Sequence, residues 1–439
     1  MGAGSLSGAE RGRILDYLPV AVFAALPTLG LFAGPSYSPL VFGLGVVGLV
    51  VAAAMGKALP RLDRGLLVFA LLFAGFCWAS ALWSIAPRAS RHGALQLTAI
   101  FAAALVVLGA RPLSPRACDL LFRATAVAFA VGAAVIGIDA ATGYHLQLLF
   151  ATDTADIPTK YNRGADYLVL IAWPLLARAA VRREWAMFAA VLLSTGLALA
   201  IAPSATGRIA ALVGLCVLLV AFASCRIVAG GLAAASALIA AATPFLLRAL
   251  AQDRAAIAAR LLVTPHLRIS GLARLEIWDY MTARVFERPL LGWGLWSAKF
   301  VPIGANEMGR YLYAGLQGNY PHNEWLQLWV ETGAFGAAVA LAFALFVLRR
   351  IHRSLSPSFR PFAYAAFACA MTISLSNYEI TTDSWWAALV ACAYLFIALR
   401  AQASFGAHRG PVRIREGVDL TGPTRDVAPE AETGREIER

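Results

Sequence analysis

The sequence predicts an all-α integral membrane protein, and three observations support this fold class. Hydrophobic residues make up 60% of the 439 residues and charged residues only 14%, so a water-soluble domain of this composition could not cover its apolar surface. Apolar segments recur, each with roughly the 20 residues that cross a bilayer as a helix. Ala, Gly and Ser are frequent within them, as expected where helices pack closely in lipid.

About twelve transmembrane helices are predicted, and the first is interpreted as a retained span. It carries Asp16 and two prolines and lacks a small-residue cleavage site. The segments lie near residues 14–33, 38–56, 65–84, 93–110, 124–141, 164–181, 184–201, 207–225, 227–249, 325–348, 361–378 and 382–399. This divides the chain into nine helices over 1–249, a long loop with amphipathic helices over 250–323, three helices over 324–400, and a disordered tail over 401–439.

The distribution of Lys and Arg predicts the orientation. Basic residues collect after the second, fourth, sixth, eighth and tenth segments, and all of these loops fall on one side. Cytoplasmic loops carry such an excess, so both termini are predicted to be cytoplasmic and residues 250–323 to face outward. The formal charge of +12 is therefore a topology signal, and no nucleic-acid partner is expected.

Neither a metal site nor a nucleotide site is predicted. The six cysteines lie in or beside apolar segments without CxxC spacing, which indicates neither a disulfide framework nor a zinc site. The sequence has no GxGxxG or Walker loop and no aspartate pair of the kind that holds Mg with a nucleotide sugar. A cytosolic nucleotide-driven enzyme is disfavoured, and no cofactor is expected.

Several basic residues lie on the predicted outer side, where the topology rule does not explain them. Each alone could extend to the interface or pair with a carboxylate. Together they favour an anionic ligand, because a guanidinium can bind phosphate oxygens in bidentate fashion. A basic cavity bounded by lipid points to a lipid-linked phosphate or diphosphate. The residues are Arg88, Arg91 and His92 in "SALWSIAPRASRHG", Lys160 and Arg163 in "PTKYNRGADY", Arg208 in "SATGRIAALVG", and Arg254, Arg260, Arg268, Arg274, Arg284 and Arg288 in the long outer segment.

An amphipathic helix is predicted in "GLARLEIWDYMTARVFERPLLGWG", residues 271–294. Leu275, Trp278 and Val285 share one helical face, and Pro289 stops the helix. Such a helix would lie at the outer membrane interface with Trp278 as an anchor. Arg274, four residues before Trp278, could hold a lipid phosphate; a plain lid is the alternative.

The stretch "YPHNEWLQLWVETGAFG", residues 320–336, places His322 at a predicted helix start, after Pro321 and before Asn323. Unpaired backbone N–H groups and the helix dipole attract an anion there and lower the pKa of a nearby imidazole. A neutral His322 could take a proton from an attacking hydroxyl; alternatively, His322 and Asn323 only cap the helix. Glu331 lies further along the same helix and could orient Gln327 or the loop above it.

Four stretches together resemble one family. "HNEWLQLWVETGAFG" resembles the His-Asn-x-x-Leu-Gln-x-x-x-Glu-x-Gly-x-x-Gly motif of the O-antigen ligase and polymerase family. "ARLEIWDYMTARVFERPLLGWG" resembles the Arg-x-x-x-Trp helix and Pro-x-x-Gly-x-Gly turn that precede this motif. "SALWSIAPRAS" and "SATGRIAALVG" are similar to two earlier family stretches. The combination is specific, although no single piece is.

The resemblance implies a GT-C type glycosyltransferase of the bacterial inner membrane that uses undecaprenyl diphosphate-linked glycans on the periplasmic face. It implies metal-independent transfer with inversion at the anomeric carbon. On the matching positions, Arg208 and Arg274 would bind the diphosphate, and His322 would activate the acceptor hydroxyl or help to hold the diphosphate. Further substrate contacts are expected from Arg88, Lys160, Arg163, Trp278, Asn323 and Glu331.

Three functions remain open at this point. An O-antigen ligase that joins a glycan to lipid A-core in lipopolysaccharide biosynthesis is the leading hypothesis, and a polysaccharide polymerase of the same family is the alternative. A transporter of lipid-linked glycans belongs to another class. It is disfavoured because no inverted repeat and no pair of broken helices is evident.

In the outer turn "SNYEITTDSWW", Glu379 and Asp383 could pair with the arginines or contact acceptor sugars.

Overall fold

The computed structural model describes residues 8–56, 59–150, 161–253, 256–257, 265–304, 311 and 320–408, and these contain no β-strand. The helices, in chain order, are α1 Gly8–Phe32, α2 Tyr37–Ala54, α3 Arg64–Ser80, α4 Pro87–Leu108, α5 Pro115–Ala141, α6 His145–Phe150, α7 Asn162–Arg182, α8 Trp185–Ile201, α9 Ala205–Ala223, α10 Cys225–Gln252, α11 Pro265–Glu287, α12 Glu324–Ser354, α13 Arg360–Ser374 and α14 Asp383–His408. Short 3-10 helices lie at Gly34–Ser36 and Ala298–Phe300.

Each of the twelve predicted segments coincides with a helix. Among the described residues, nine helices are long and apolar enough to cross a membrane. The other three, α3, α8 and α13, have 17, 17 and 15 residues. The prediction of an all-α integral membrane protein is confirmed, whereas the count of twelve spans stays a prediction.

Helix α7 forms the centre of the bundle. Every residue from Gly164 to Ala179 is buried, and the helix packs against α1, α8, α9, α13 and α14. It is shielded from lipid, so it can carry a charge close to each end. Near its C-terminus, the buried guanidinium of Arg178 donates to Asp119 at 2.8 Å and Glu184 at 2.7 Å, which ties α5 to the α7–α8 turn.

At the other end of α7, the buried carboxylate of Asp166 joins three elements. It accepts hydrogen bonds from Ser204 Oγ at 2.7 Å, Asn377 Nδ2 at 2.6 Å and Tyr378 OH at 3.2 Å. Ser204 caps α9, and the other two donors lie in the 375–382 segment between α13 and α14. The predicted outer end of the bundle is therefore held together by one buried acid.

Helix α12 is interrupted at Gly333, whose φ of 64° and ψ of −162° are not helical. The backbone groups freed by this break pair with the turn that follows α11. A membrane bundle tolerates a helix break only where the freed groups find such partners. The bonds run from Trp293 N to Val330 O at 2.9 Å, from Gly294 N to Glu331 O at 2.9 Å, from Ala334 N to Pro289 O at 2.8 Å and from Phe335 N to Leu290 O at 3.3 Å.

Two sequence expectations need correction. The apolar face of α11 packs on protein and does not enter lipid: Leu275 and Val285 are buried, and the helix contacts α10 and α12. Trp278 is partly buried and donates its indole N–H to Pro321 O at 2.8 Å, so it fixes a loop, and its role as a membrane anchor stays a prediction. Helix α14 continues to His408, past the predicted start of the tail, and the rest of the predicted tail, 409–439, lies outside the described residues.

We expect Gly333→Ala to lower the free energy of unfolding by about 3 kcal/mol or more, since it combines backbone strain with steric overlap. A Cβ at this position would lie 2.4 Å from the carbonyl carbon of Leu290, and φ is positive. Thermal unfolding of the purified protein in detergent, followed by tryptophan fluorescence, measures the effect. Gly75→Ala in α3 is the control, because no atom lies within 4 Å of its added Cβ. Equal melting temperatures for the two variants would contradict this account of the break.

Candidate functional site

His322 lies immediately before α12 in a strained backbone conformation, with a φ of 51°. This left-handed region is uncommon for a residue other than glycine and persists where neighbours fix the chain. Both neighbours of His322 are fixed. Pro321 O accepts the Trp278 indole bond, and Asn323 Oδ1 caps α12 by accepting from Leu326 N at 2.9 Å.

Asn323 also connects the start of α12 to the end of α13, since its Nδ2 donates to Leu375 O at 2.8 Å. The segment of α12 before Gly333 is short and mostly buried. Its N-terminus, with the positive end of the helix dipole, begins directly after His322 and Asn323. The helix start predicted from the sequence is thus present, and the cap is Asn323.

Burial and neighbouring charge keep His322 neutral. Burial is the main cause that lowers its pKa to about 4, and the positive charges of Arg274 and Arg163 lower it further, against a hydrogen bond to the backbone of Asn377. A neutral imidazole can accept a proton at the pH of the periplasm or cytoplasm. The structure brings His322, Arg274 and Arg163 into one electrostatic group, although they come from three parts of the chain.

Among the described residues, no carboxylate pairs with either of the two arginines of this group. Within the described part of the chain, neither Arg274 nor Arg163 makes a hydrogen bond or an ion pair with a side chain. Arg274 is half-buried on α11, and burial lowers its pKa, but a guanidinium remains charged at neutral pH. Arg163 is exposed, but the half-buried charge of Arg274 is unfavourable unless it is paired, so Arg274 favours an anion that the described residues do not supply.

Tyr320 and Lys299 border this group, and neither was identified from the sequence. The Tyr320 ring lies 4.1 Å from the His322 ring, centroid to centroid. Lys299 Nζ lies 5.5 Å from the Tyr320 ring centroid and forms an ion pair of 2.6 Å with Glu379. Burial, and then Glu379, raise the pKa of Tyr320. The only sequence signals were an aromatic residue beside the Pro-His pair and one further basic residue on the outer side.

Glu331 positions the loop that carries Lys299. Its Oε2 accepts from Trp296 N at 2.8 Å, and its Oε1 accepts from Ala298 N at 3.4 Å and Gln327 Nε2 at 3.0 Å. The polar groups of Glu331, Asn323 and Trp278 are therefore engaged within the protein. A direct substrate contact by any of these three residues stays a prediction.

Arg208 does not join the group around His322 in this structure. It is exposed at the start of α9, and its guanidinium donates to the carbonyl oxygens of Leu199 at 2.9 Å and Ala202 at 3.3 Å, at the C-terminal end of α8. Its helix nonetheless begins nearby, since Thr206 and Ser376 share a hydroxyl hydrogen bond of 3.0 Å. Arg88 is exposed at the start of α4, and Lys160 lies outside the described residues.

Comparison with known proteins matches the region that contains most of these residues. Residues 188–341 match the model of a family described as O-antigen ligase. A protein of Rickettsia conorii named "Putative polysaccharide ligase" is 31% identical over 121 residues, which is 27% of this chain and 29% of the relative. A Rickettsia prowazekii protein with the same description is 32% identical over 119 residues, with the same coverage of both chains. The chain thus matches 29% of the length of these curated relatives.

The matched region includes Arg208, Arg274, Trp278, His322 and Glu331. The motifs that indicated the family from the sequence fall in the same region, apart from the stretch around Arg88. Residues 188–341 of this membrane protein therefore resemble the family described as O-antigen ligase.

Proposed function

We propose that this protein is a glycosyltransferase of the bacterial inner membrane that transfers a glycan from undecaprenyl diphosphate to an acceptor hydroxyl at the periplasmic face. The group of neutral His322 with uncompensated Arg274 and Arg163 carries the proposal. A base without a proton beside two free cations suits a reaction in which a hydroxyl attacks and a diphosphate leaves. The O-antigen ligase domain supports the same chemistry.

In the proposed reaction, the acceptor oxygen forms a bond to the anomeric carbon while its proton passes to the free ring nitrogen of His322. The bond from that carbon to the diphosphate oxygen breaks, and its electron pair stays on the diphosphate. Attack and departure on opposite sides invert the anomeric configuration. Arg274 and Arg163 compensate the growing negative charge, so the residues supply by themselves what a metal would otherwise supply.

Arg208 is proposed as a further diphosphate ligand, under one condition. Its guanidinium must first release the carbonyl oxygens at the end of α8. The negative charge of a diphosphate favours this exchange, because a guanidinium can bind phosphate oxygens in bidentate fashion and attracts their full charge, which a carbonyl oxygen lacks. Asn323 and Glu331 would act by holding His322 and the 296–298 turn.

An O-antigen ligase with lipid A-core as the acceptor is the proposed specific activity, and product analysis tests it. The purified protein is mixed with an undecaprenyl diphosphate oligosaccharide, with and without lipid A-core, and the products are separated by gel and identified by mass spectrometry. Glycan joined to lipid A-core is the expected product. Longer glycans on the undecaprenyl carrier would identify a polymerase instead. Movement of the donor across liposome membranes without a new glycosidic bond would identify a transporter.

Arg274→Ala is expected to reduce the rate of transfer roughly 100 to 1,000-fold, the typical result of losing one donor to a developing oxyanion. Arg274→Lys should retain part of the rate, since it keeps a positive charge but not the planar fork. Arg248→Ala is the matched control: Arg248 is exposed near the same end of the bundle, over the Phe286 ring. Single-turnover rates with saturating donor provide the measurement. Equal rates for the Arg274→Ala and Arg248→Ala variants would refute the role of Arg274.

The pH dependence of transfer should follow the low pKa of His322. Because the imidazole is neutral above its pKa of about 4, the rate should stay level from pH 8 to about 5.5 and fall as the pH approaches 4. An unperturbed imidazole would instead cause the fall near pH 6.5. The measurement is the rate against pH for wild type and for His322→Gln, which should be slow and lack this acidic limb. An acidic limb that survives in His322→Gln would assign the titration to another group.

A further inference from the structure

A shallow depression on the outer face has no part in the reaction described above. Its volume is about 450 Å³, and it is lined by Ala86, Pro87, Arg88, Ala89, Arg91 and Phe300. In the described part of the chain Arg88 has no hydrogen bond or ion pair, and Arg91 donates only from Nε to Pro87 O at 3.3 Å. Phe300 is 55% exposed. The depression thus combines two uncompensated cations with an accessible aromatic ring.

A continuous row of rings and cations connects this depression to His322. His92, next to Arg91, stacks on Trp296 with ring centroids 5.2 Å apart and planes at 16°. Lys299 Nζ lies 5.6 Å from the Trp296 centroid and 5.5 Å from that of Tyr320. The Tyr320 ring in turn contacts the ring of the proposed base. Aromatic faces beside cations offer both an apolar surface and charge to a ligand.

Trp296, in the middle of this row, is held in place before any ligand binds. Its φ of 58° is left-handed, a conformation that a bulky residue adopts at a cost and that concentrates at functional sites. Two carboxylates hold it, because its backbone N–H donates to Glu331 at 2.8 Å and its indole N–H to Glu379 at 3.3 Å. Gly93 lets α4 approach, since a Cβ there would lie 3.3 Å from the Trp296 side chain. This fixed orientation reduces the entropy lost when a ligand binds.

We propose that Arg88, Arg91, Trp296, Lys299 and Phe300 form an acceptor subsite for a glycan that bears an anionic group a few sugar residues from the hydroxyl to be glycosylated. The inference rests on the proposed transferase function and specifies its acceptor. Arg274 and Arg163 act on His322 directly, whereas the subsite reaches it through Tyr320 and Lys299. Donor diphosphate and acceptor anion therefore have separate groups of cations.

The residues of the proposed subsite contact different parts of the acceptor. The rings of Trp296 and Phe300 contact the apolar faces of sugars, and Arg88 and Arg91 bind the anionic group in bidentate fashion. Lys299 is partly neutralised by Glu379, so it orients the intervening sugars without competing for the anion. An acceptor bound along this row presents its end to the free nitrogen of His322.

Binding of a lipid A-core oligosaccharide, released from its lipid, tests the subsite without relying on transfer. Isothermal titration calorimetry compares the native oligosaccharide with the same compound after removal of its phosphates and reduction of its carboxylates. The protein is held in phosphatidylcholine nanodiscs. We expect the native compound to bind wild type about 10 to 100-fold more tightly than the neutral one, the usual size of hydrogen bonds to a charged group.

The double variant Arg88→Ala/Arg91→Ala should bind the native compound as weakly as wild type binds the neutral one. Arg88→Lys/Arg91→Lys should recover part of the affinity, and Arg248→Ala should bind as wild type does. Trp296→Leu should weaken both compounds equally, because it removes the ring and leaves the cations. A loss of binding by charge-retaining and charge-removing variants alike would indicate misfolding of the loop and would overturn the role of charge.

The two proposals can fail separately. If wild type discriminates the two oligosaccharides but forms no product with lipid A-core and donor, binding of an anionic glycan by these residues stands, whereas the transferase function and the acceptor role of the site fail. If wild type forms product, yet the double variant binds the native compound as tightly as wild type does, the subsite is wrong and the transferase stands. Absence of binding by wild type also overturns the subsite. Displacement of the oligosaccharide by phosphatidylglycerol vesicles would overturn it too, since the depression would then bind lipid headgroups.

Discussion

The exchange of backbone hydrogen bonds at Gly333 is the constraint on which the predicted outer end of this bundle depends. A helix in a bilayer must satisfy all of its own backbone groups, and α12 cannot do so where it breaks. The turn after α11 supplies the missing partners through Pro289, Trp293 and Gly294. The break also separates a short buried helical segment, Glu324 to Thr332, whose N-terminal cap Asn323 directly follows His322. The backbone hydrogen bonds between the turn after α11 and helix α12 therefore fix the location of the proposed base, His322.

The loop whose backbone pairs with α12 at the break continues into Trp296, Lys299 and Phe300, which are proposed to contact the acceptor. Glu331 lies two residues before Gly333, and its carboxylate orients Trp296 and Ala298. The proposed base and the proposed acceptor contacts thus both depend on the pairing of the turn after α11 with the break in α12. Close approach at Gly292 explains why the loop is rich in glycine, since a Cβ there would lie 2.4 Å from the carbonyl carbon of Glu331.

Much of the fold could be predicted from the sequence, because length and hydropathy suffice to identify helices in lipid. The predicted segments coincide with helices, and Pro321 and Asn323 marked the start of α12 correctly. The break in α12 was not predicted, because its repair depends on a loop some 40 residues earlier that the local pattern does not reveal. Gly333 appeared in the sequence only as a glycine of the motif in "HNEWLQLWVETGAFG", which does not give its backbone conformation.

The sequence indicated which residue types to consider for the site, and their roles stay predictions, but it did not indicate their contacts. Outer arginines were recognised as exceptions to the topology rule, and Arg163 and Arg274 do act on His322. Arg208 was grouped with them, yet its guanidinium is bound by α8 carbonyls, an alternative partner that no sequence pattern indicates. Trp278 was interpreted as a lipid anchor because an amphipathic face does not reveal whether it meets lipid or protein. Lys299 and Tyr320 belong to no motif, and only the structure shows that they lie beside His322.

The position of Asp166 has a consequence for how this kind of protein can be divided. The match to the O-antigen ligase model covers residues 188–341, but the acid that anchors Ser204 precedes this region, and Asn377 and Tyr378 follow it. The helix that carries this acid, α7, also lies outside the matched region. A chimaera that exchanges only residues 188–341 between relatives would transfer Ser204 without Asp166, Asn377 and Tyr378, the groups with which it forms one hydrogen-bonded cluster. An exchangeable unit must therefore include at least α7 and the 375–382 segment together with the matched region.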